Sequence, residues 1–440
     1  MPLVSHRQPF NQHHRKVTAI QPDTMNGRAY SDDIDWLMAE GAKVLSDFDD
    51  GKGAGTLRLT AWQQSIIENQ IRFRKRAAGR IPNPEQWIWT DKSLAQASDW
   101  ASATFKASLF PEAANVLDAC CGAGVDLYAL SRFCNSAIGI DNCPDVVRLC
   151  NLNMIRLSAG AEAKLGSFED SLIGSDSWIH VDPDRREAKG GKHGSGAGRK
   201  TIIAEEFSPP WSLITASVAK AAGAIAKLSP KTTFDDDLEP SQRSHQSVWL
   251  GNRNECRQQL AIWGGVREEF CSRYSCMPHE RVACLIEEPF EDRSPPGNFH
   301  FVCGSETHTV ASEKLRSYVF DLHPTLHAAG LASQWADQQG LAPLTDARGY
   351  FSGDQPIKSP WAQCFEVKEL LSWDDRKIRK CLRRHGAGHV EVKNRLHRMD
   401  ANVFQKRLSK PEGEPHTILV TRMGDRVKAI VAKRHDFGLA

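Results

Sequence analysis

Three short stretches of this 440-residue chain place acids where they can hold or present a ligand. The first is Val116-Leu117-Asp118-Ala119-Cys120-Cys121-Gly122-Ala123-Gly124-Val125-Asp126, an apolar strand running into a glycine turn with a carboxylate near its end. The second, Ala137-Ile138-Gly139-Ile140-Asp141, is another strand ending in an acid, 23 residues after Asp118. Strand, Gly-rich turn, helix, then a strand ending in an acid is how α/β sheets hold an adenosine-containing cofactor. The glycines let the backbone approach the ligand, and the second acid accepts hydrogen bonds from ribose hydroxyls. The third stretch, Ser177-Trp178-Ile179-His180-Val181-Asp182-Pro183-Asp184-Arg185-Arg186, is an apolar strand ending in Asp-Pro at the carboxyl edge, where open α/β sheets bind ligands. A carboxylate there, with the adjacent backbone carbonyl, can orient an acceptor's lone pair for in-line attack. Arg185 and Arg186 can clamp a phosphate or carboxylate bidentately, or bond the protein's own acids.

The elements needed to position these groups read as alternating strand and helix, the pattern of a parallel α/β sheet. Strands are expected near 115–120, 136–141, 162–166 and 177–182, with helices near 125–134, 144–158 and 212–228. Asn142-Cys143-Pro144 marks a stop and a start, with Pro144 in a first helical turn. Residues 247–250 read as a further strand, and 255–265 and 280–287 as late antiparallel strands. Upstream, residues 1–58 are polar and partly disordered in character, apart from an amphipathic piece over 35–48. A helical region covers 59–112, broken at Pro82 and Pro84, with its second helix expected over 94–110. The Gly-rich stretch 187–200 is a loop, either a lid over the active edge or a plain connector. Residues 312–342 look mostly helical. From Cys364 a compact unit follows, with helices over 374–385 and 400–408 and strands near 389–393, 416–421 and 427–432.

Other readings of the glycine turn are excluded by residue type. A nicotinamide fingerprint needs a third glycine where Leu127 stands, and no Gly-Lys-Ser/Thr phosphate loop occurs. With 40% hydrophobic and 25% charged residues the composition is that of an ordinary globular protein. No run of 18 apolar residues suggests a membrane span, and the first residues lack the apolar core of a signal peptide. Twelve cysteines without paired spacing fit a reducing, cytoplasmic setting better than a disulfide framework. Cys256, Cys271, Cys276 and Cys284 contain no C-x-x-C pair, so no metal is expected. Cys276 lies 91 residues from Arg185, too far to read as the nucleophile of a pyrimidine-methylating site. The net charge of +2 hides an asymmetry: residues 363–440 hold 18 Lys/Arg against 10 Asp/Glu, so the rest is mildly acidic. A basic terminal module suggests a polyanionic partner, against the plainer reading of a solvated surface.

The Asp-x-x-Cys-Gly-x-Gly run resembles motif I of class I S-adenosylmethionine (SAM) dependent methyltransferases, and Asp182-Pro183 corresponds to their motif IV. In amine-methylating members that motif continues Pro-Tyr/Trp, where this chain has Asp184 and Arg185. The layout as a whole is similar to a family of class I methyltransferases with a C-terminal THUMP-like domain. The shared features are Cys-Cys-Gly-x-Gly-x-Asp, Asp-Pro-x-Arg-Arg, Phe207-Ser208-Pro209-Pro210, Lys393-Asn394-Arg395 and Leu419-Val420-Thr421-Arg422. The resemblance implies a Rossmann-like α/β sheet, SAM as cofactor, and an RNA substrate, tRNA or rRNA, since THUMP domains bind RNA.

On that reading Asp118, Cys120, Gly122, Gly124 and Asp126 form the methionine side of the site and Asp141 and Asn142 the ribose side. Ser167 and Phe168 stand near the adenine. Asp182 and Pro183 position the acceptor, Arg185 and Arg186 hold substrate, and Lys377, Arg379, Lys380, Arg383, Arg384, Lys393 and Arg395 contact the RNA backbone. The expected organisation is a methyltransferase domain over 113–310, a helical connector over 311–362 and a basic THUMP-like domain over 363–440. Two other functions stay open: a non-catalytic RNA-binding protein on this fold, and methylation of a protein or small molecule.

Overall fold

A computed structural model describes residues 24–25, 28–49, 59–185, 201–234, 243–307, 310–312, 314–345, 349–395 and 399–438. Arg186 and the Gly-rich stretch 187–200 lie outside the described residues.

The larger sheet has nine strands: β1 (Asn115–Ala119), β2 (Ser136–Asp141), β3 (Glu162–Leu165), β4 (Trp178–Val181), β5 (Gly223–Leu228), β6 (Gln246–Asn252), β7 (Glu255–Trp263), β8 (Arg281–Ile286) and β9 (Phe299–Gly304). Their order across the sheet is β9-β8-β6-β7-β5-β4-β1-β2-β3. Strands β1 to β5 run parallel, while β7 is antiparallel to both of its neighbours, β5 and β6. The order turns back between β1 and β4, and a crevice at the carboxyl ends of those two strands is where such sheets take ligands.

Seven strands and the first two helices of this sheet fall where the sequence placed them. Strand β8, expected to be antiparallel, runs parallel to β6 and antiparallel only to β9. The helix expected over 212–228 does not run through: it stops at Val218, and Gly223–Leu228 is strand β5 in the middle of the sheet. Its residues are buried on both faces, so they show no alternation, and a short apolar run cannot be told from helix by periodicity. The single helix expected over 94–110 is likewise two, Asp91–Gln96 and Trp100–Ser108. The Asp99 carboxylate accepts from the Ser102 amide at 3.0 Å and starts the second helix. That break turns Gln96 and Ser98 toward the large sheet.

The second sheet has seven strands: β10 (Tyr318–Leu322), β11 (Ala342–Pro343), β12 (Phe351–Gly353), β13 (Ala362–Ser372), β14 (Ala387–Asn394), β15 (Glu414–Met423) and β16 (Arg426–Arg434), in the order β11-β12-β10-β13-β16-β15-β14. Residues 312–342 are therefore not mostly helix. Tyr318-Val319-Phe320-Asp321-Leu322 pairs antiparallel with β13, and only two short helices, Pro324–Ala329 and Ala332–Gln338, follow it. Its aromatic and β-branched alternation suits a pleated surface. The two sheets share a core in which Trp249, Ala283 and Leu285 meet Phe320, Leu322, Trp335 and Trp361.

Ser208-Pro209-Pro210-Trp211 opens the helix Trp211–Val218 and seats Trp211 in an aromatic box, 5.5 Å from both His245 and Trp263. His245 lies 5.4 Å from Phe234, over whose ring Arg243 sits at 4.5 Å. Burial, helped by the charge of Arg243, pushes His245 down to about 3 from 6.5. The unfolded chain thus takes up a proton as pH falls below about 6.5 while the folded chain does not, and stability declines from there toward pH 3. A His245→Phe variant should lose less of its thermal midpoint between pH 7 and pH 4 than the parent protein, measured by circular dichroism; equal losses would remove His245 from this account.

Candidate functional site

The glycine turn leaves β1 in a left-handed conformation, with φ of 60° at Cys120, 56° at Gly122 and 91° at Gly124. Gly124 is required by space as well. A Cβ there would lie 2.8 Å from both the Cys150 sulfur and the Met154 methyl. At Gly122 a Cβ would meet nothing within 4 Å, so this part of the turn faces open space. Behind the turn, buried Asn153 donates to the carbonyls of Ala123 at 3.0 Å and Ile88 at 3.1 Å and fixes the loop to the N-terminal region.

Asp141, half-buried at the end of β2, accepts from the Cys143 amide at 3.0 Å and from the Gly122 amide at 3.4 Å. Burial raises this carboxyl above its ordinary value, and those amide bonds oppose the rise. The two expected cofactor elements, turn and second acid, are thus joined directly. Asn142 is exposed beside them. Ser167 is half-buried and donates to Asp170 at 2.8 Å, whereas Phe168 is buried in the core with Ala119, Ile179 and Val181.

Asp118 and Asp126 face inward. Asp118 is fully buried, and one of its oxygens lies 2.7 Å from His180 Nδ1 on β4, its partner in register. Its other oxygen, Oδ2, is buried without a hydrogen-bond partner. Burial raises the Asp118 carboxyl, with His180 opposing. Asp126, in the first turn of the helix Val125–Phe133, pairs with Lys106 at 2.7 Å and accepts from Ser98 at 2.8 Å. Burial alone would raise Asp126, but Lys106, His180 and Lys227 outweigh it and hold the group below the usual carboxylate range.

The edge expected to position the acceptor lies alongside. The Asp182 amide donates to the Ala119 carbonyl at 3.1 Å, so motif I and Asp182 share one rim of the sheet. The Asp182 carboxylate pairs with Lys227 of β5, whose ammonium also donates to the Gln96 carbonyl at 2.9 Å. Burial would lower Lys227, yet Asp182 and Asp126 raise it overall. Asp184 accepts from Gln96 at 3.1 Å and pairs with Lys92 at 3.1 Å. Pro183 is buried, and Arg185 is half-exposed with no side-chain partner among the described residues. Lys92, Gln96, Ser98, Lys106, His180 and Lys227 were not among the residues expected here. Cys276 is buried away from this rim, and burial pushes its thiol up, so it is no nucleophile.

The cations of the second sheet divide between its two faces. Ile378, Cys381 and Leu382 bury one stripe of the helix Asp375–Arg384, leaving Lys377, Lys380, Arg383 and Arg384 exposed. Arg384 meets Glu369 at 3.2 Å, and Arg379 meets Asp375 at 3.2 Å. Lys393 and Arg395 lie elsewhere, both paired with Asp321 of β10, Lys393 at 3.0 Å. On β14, Val390 and Val392 point to the helix, so Lys393 points to the opposite face. One grouping of metal-ligand type, Glu369, Cys381 and His385, occurs among the described residues, beneath this helix and away from the rim.

Residues 362–434 match the family "THUMP domain-like". Two strains of Mycobacterium tuberculosis (CDC 1551 / Oshkosh and ATCC 25618 / H37Rv) each have a relative named "uncharacterized S-adenosylmethionine-dependent methyltransferase". Each is 26% identical over 371 residues, 82% of this chain and 92% of the relative. A crystal structure of a "putative methyltransferase" from Porphyromonas gingivalis W83 superposes with a TM-score of 0.61, covering 92% of this chain and 98% of the other at 15% identity. The fold is that of a class I methyltransferase, closed by a THUMP-like unit. Within this methyltransferase fold, no helix of the described residues is long and apolar enough to cross a membrane.

The pair joins Lys106 of the helix Trp100–Ser108, buried from Ala101 onward, to Asp126 of the helix Val125–Phe133. Lys106→Met should destabilise the protein by about 3–5 kcal/mol, because it strands a buried carboxylate. Lys106→Met with Asp126→Leu should recover most of that in chemical denaturation. Since Asp126 is depressed when folded, the contribution of the pair is full above the ordinary value of 3.8 and fades as pH falls below it.

Proposed function

We propose that this protein transfers the methyl group of S-adenosyl-L-methionine to RNA, at the rim shared by the glycine turn and Asp182. The observation that carries the reading is the 3.1 Å bond from the Asp182 amide to the Ala119 carbonyl, which sets an acceptor-positioning carboxylate beside a nucleoside-binding turn. The residues fit the cofactor: Gly122 faces open space, Asp141 stands at the end of β2, and the buried Oδ2 of Asp118 lacks a partner. Asp141 would take the ribose hydroxyls, Gly122 and Gly124 would let the backbone close on the methionine part, and Asp118 would offer Oδ2 toward its ammonium. Bound there, the cofactor supplies an electrophilic methyl on a sulfonium. Asp182 and Pro183 orient the acceptor for in-line attack. Buried Ser98 and Lys106 keep water from the underside of the rim.

RNA as substrate is supported by the THUMP-like match, while the relatives' naming supports methyl transfer alone. The exposed cations on one helix face and Arg185, which has no side-chain partner among the described residues, add physical support, since both suit a polyphosphate. Lys393 and Arg395, already paired with Asp321, contribute less to such contact than the helix does. We place the RNA-contacting surface on Lys377, Lys380, Arg383 and Arg384.

Two measurements test this. Asp141→Ala should weaken SAM binding in calorimetry by about 1.5–3 kcal/mol, roughly tenfold or more, the value of hydrogen bonds to a charged group. Unchanged affinity would remove Asp141 from the ribose site. Lys377, Lys380 and Arg383 changed together to Ala should weaken tRNA or rRNA binding and flatten its log–log salt dependence by about 2–3, near 0.9 per lost duplex phosphate contact. An unchanged slope would place the RNA elsewhere.

A further inference from the structure

The geometry points to a hydroxyl oxygen as the methyl acceptor, which in RNA means a ribose 2′-hydroxyl; this rests on the reading of the rim given above. The deciding group is Lys227. Its ammonium has three N–H donors. One goes to Asp182 and one to the Gln96 carbonyl at 2.9 Å, which leaves a third without a partner among the described residues. Asp182 uses Oδ2 for that pair, and Oδ1 has no partner among the described residues. The side chains are 11% and 27% exposed, so both ends of the pair border the rim rather than lie sealed beneath it.

A donor and an acceptor are therefore presented side by side. A hydroxyl matches both, since it has one hydrogen to give and two lone pairs. It can donate to Asp182, accept from Lys227 with one pair, and keep the other for the methyl carbon. An exocyclic amine does not match. It needs oxygens that accept its hydrogens, and a lysine N–H would compete for the one lone pair that must attack. Among the described residues the rim also lacks an aromatic wall on which a turned-out base could stack. Asp184 and Arg185 follow Pro183, while Phe207 and Trp211 are buried in the core. Arg185 lies on the same rim and would take a phosphate flanking the ribose.

The step balances without a further reagent. As the oxygen–carbon bond forms and the carbon–sulfur bond of the sulfonium breaks, the bonding pair remains on sulfur as S-adenosylhomocysteine. Asp182 receives the hydroxyl proton and passes it to water. Lys227 steadies the negative charge that develops on oxygen, which makes it a catalytic residue if the third N–H reaches the acceptor.

The full-length protein would be incubated with methyl-labelled SAM and total RNA from cells lacking it, and the RNA hydrolysed in alkali. A 2′-O-methyl blocks cleavage at its own phosphodiester, so the label should appear in alkali-resistant dinucleotides. Label in mononucleotides would overturn the hydroxyl assignment while leaving RNA methylation intact. No label in RNA, from protein that binds SAM in calorimetry, would overturn both. Lys227→Met should lower kcat on the order of 100- to 10,000-fold with SAM affinity within a few-fold, and Lys227→Arg should restore part of it. Equal kcat in parent and Met variants would remove Lys227 from the reaction, and the alkali test stands even if the Met variant does not fold.

Discussion

Burying charge is costly unless each charge is met, and this molecule sets a series of charges at and beneath one rim of its larger sheet. Asp118 is held by His180, Asp126 by Lys106 and Ser98, and Asp182 by Lys227. The members come from β1, β4, β5, the helix Trp100–Ser108 and the first turn after the glycine loop. No one of those elements can shift without stranding a partner from another. The positions of the glycine turn and the acceptor edge are therefore coupled through charge, beyond what the strand pairing of β1 and β4 provides. A helix buried from Ala101 to Ser108, Lys106 included, makes sense only as part of that coupling.

How much of this could be read from the sequence follows from what kind of signal each residue leaves. Asp118, Asp141 and Asp182 were legible because an acid ending an apolar strand is uncommon and marks a definite place in an α/β sheet. Lys106 and Lys227 were not. Each is a lone lysine inside an apolar stretch, Ala103-Thr104-Phe105-Lys106-Ala107 and Ala224-Ile225-Ala226-Lys227-Leu228, and such a lysine reads as one exposed position. Its partner lies on another element, 20 residues away for Asp126 and 45 for Asp182. The strand Gly223–Leu228 failed for a related reason. A central strand covered on both faces loses the alternation by which strands are recognised.

Charge in the C-terminal unit shows the same limit from the other direction. Counting Lys and Arg found a basic module, but counting cannot say which cations are already satisfied. Asp321, on a strand expected to be helix, takes both Lys393 and Arg395. Burial would raise Asp321, yet those two cations hold it below the usual carboxylate range. The motif Lys-x-Arg therefore joins β14 to β10 across the seven-stranded sheet. The helix Asp375–Arg384 keeps its apolar stripe on the opposite face and several of its cations in solvent.

The same sheet handles its exposed edge in a way that bears on what can dock there. Strand β14 is terminal, and an unpaired terminal strand invites pairing with another chain. Here the helix Ala401–Leu408 and the residue after it occupy that edge. Gln405 accepts from the Val392 amide at 3.1 Å, and Ser409 accepts from the Val390 amide at 3.0 Å and donates to its carbonyl at 3.1 Å. Main-chain donors that could add a strand are consumed by side chains. On the RNA reading proposed above, recognition at this end of the molecule would be left to side-chain charge on the helix face, a mode that reads phosphate backbone rather than sequence. On the proposed reading, a unit that grips a backbone without reading bases would select a substrate only by shape and by the distance from its grip to the rim. The core shared by Trp249, Leu285, Phe320 and Trp361 holds that distance fixed.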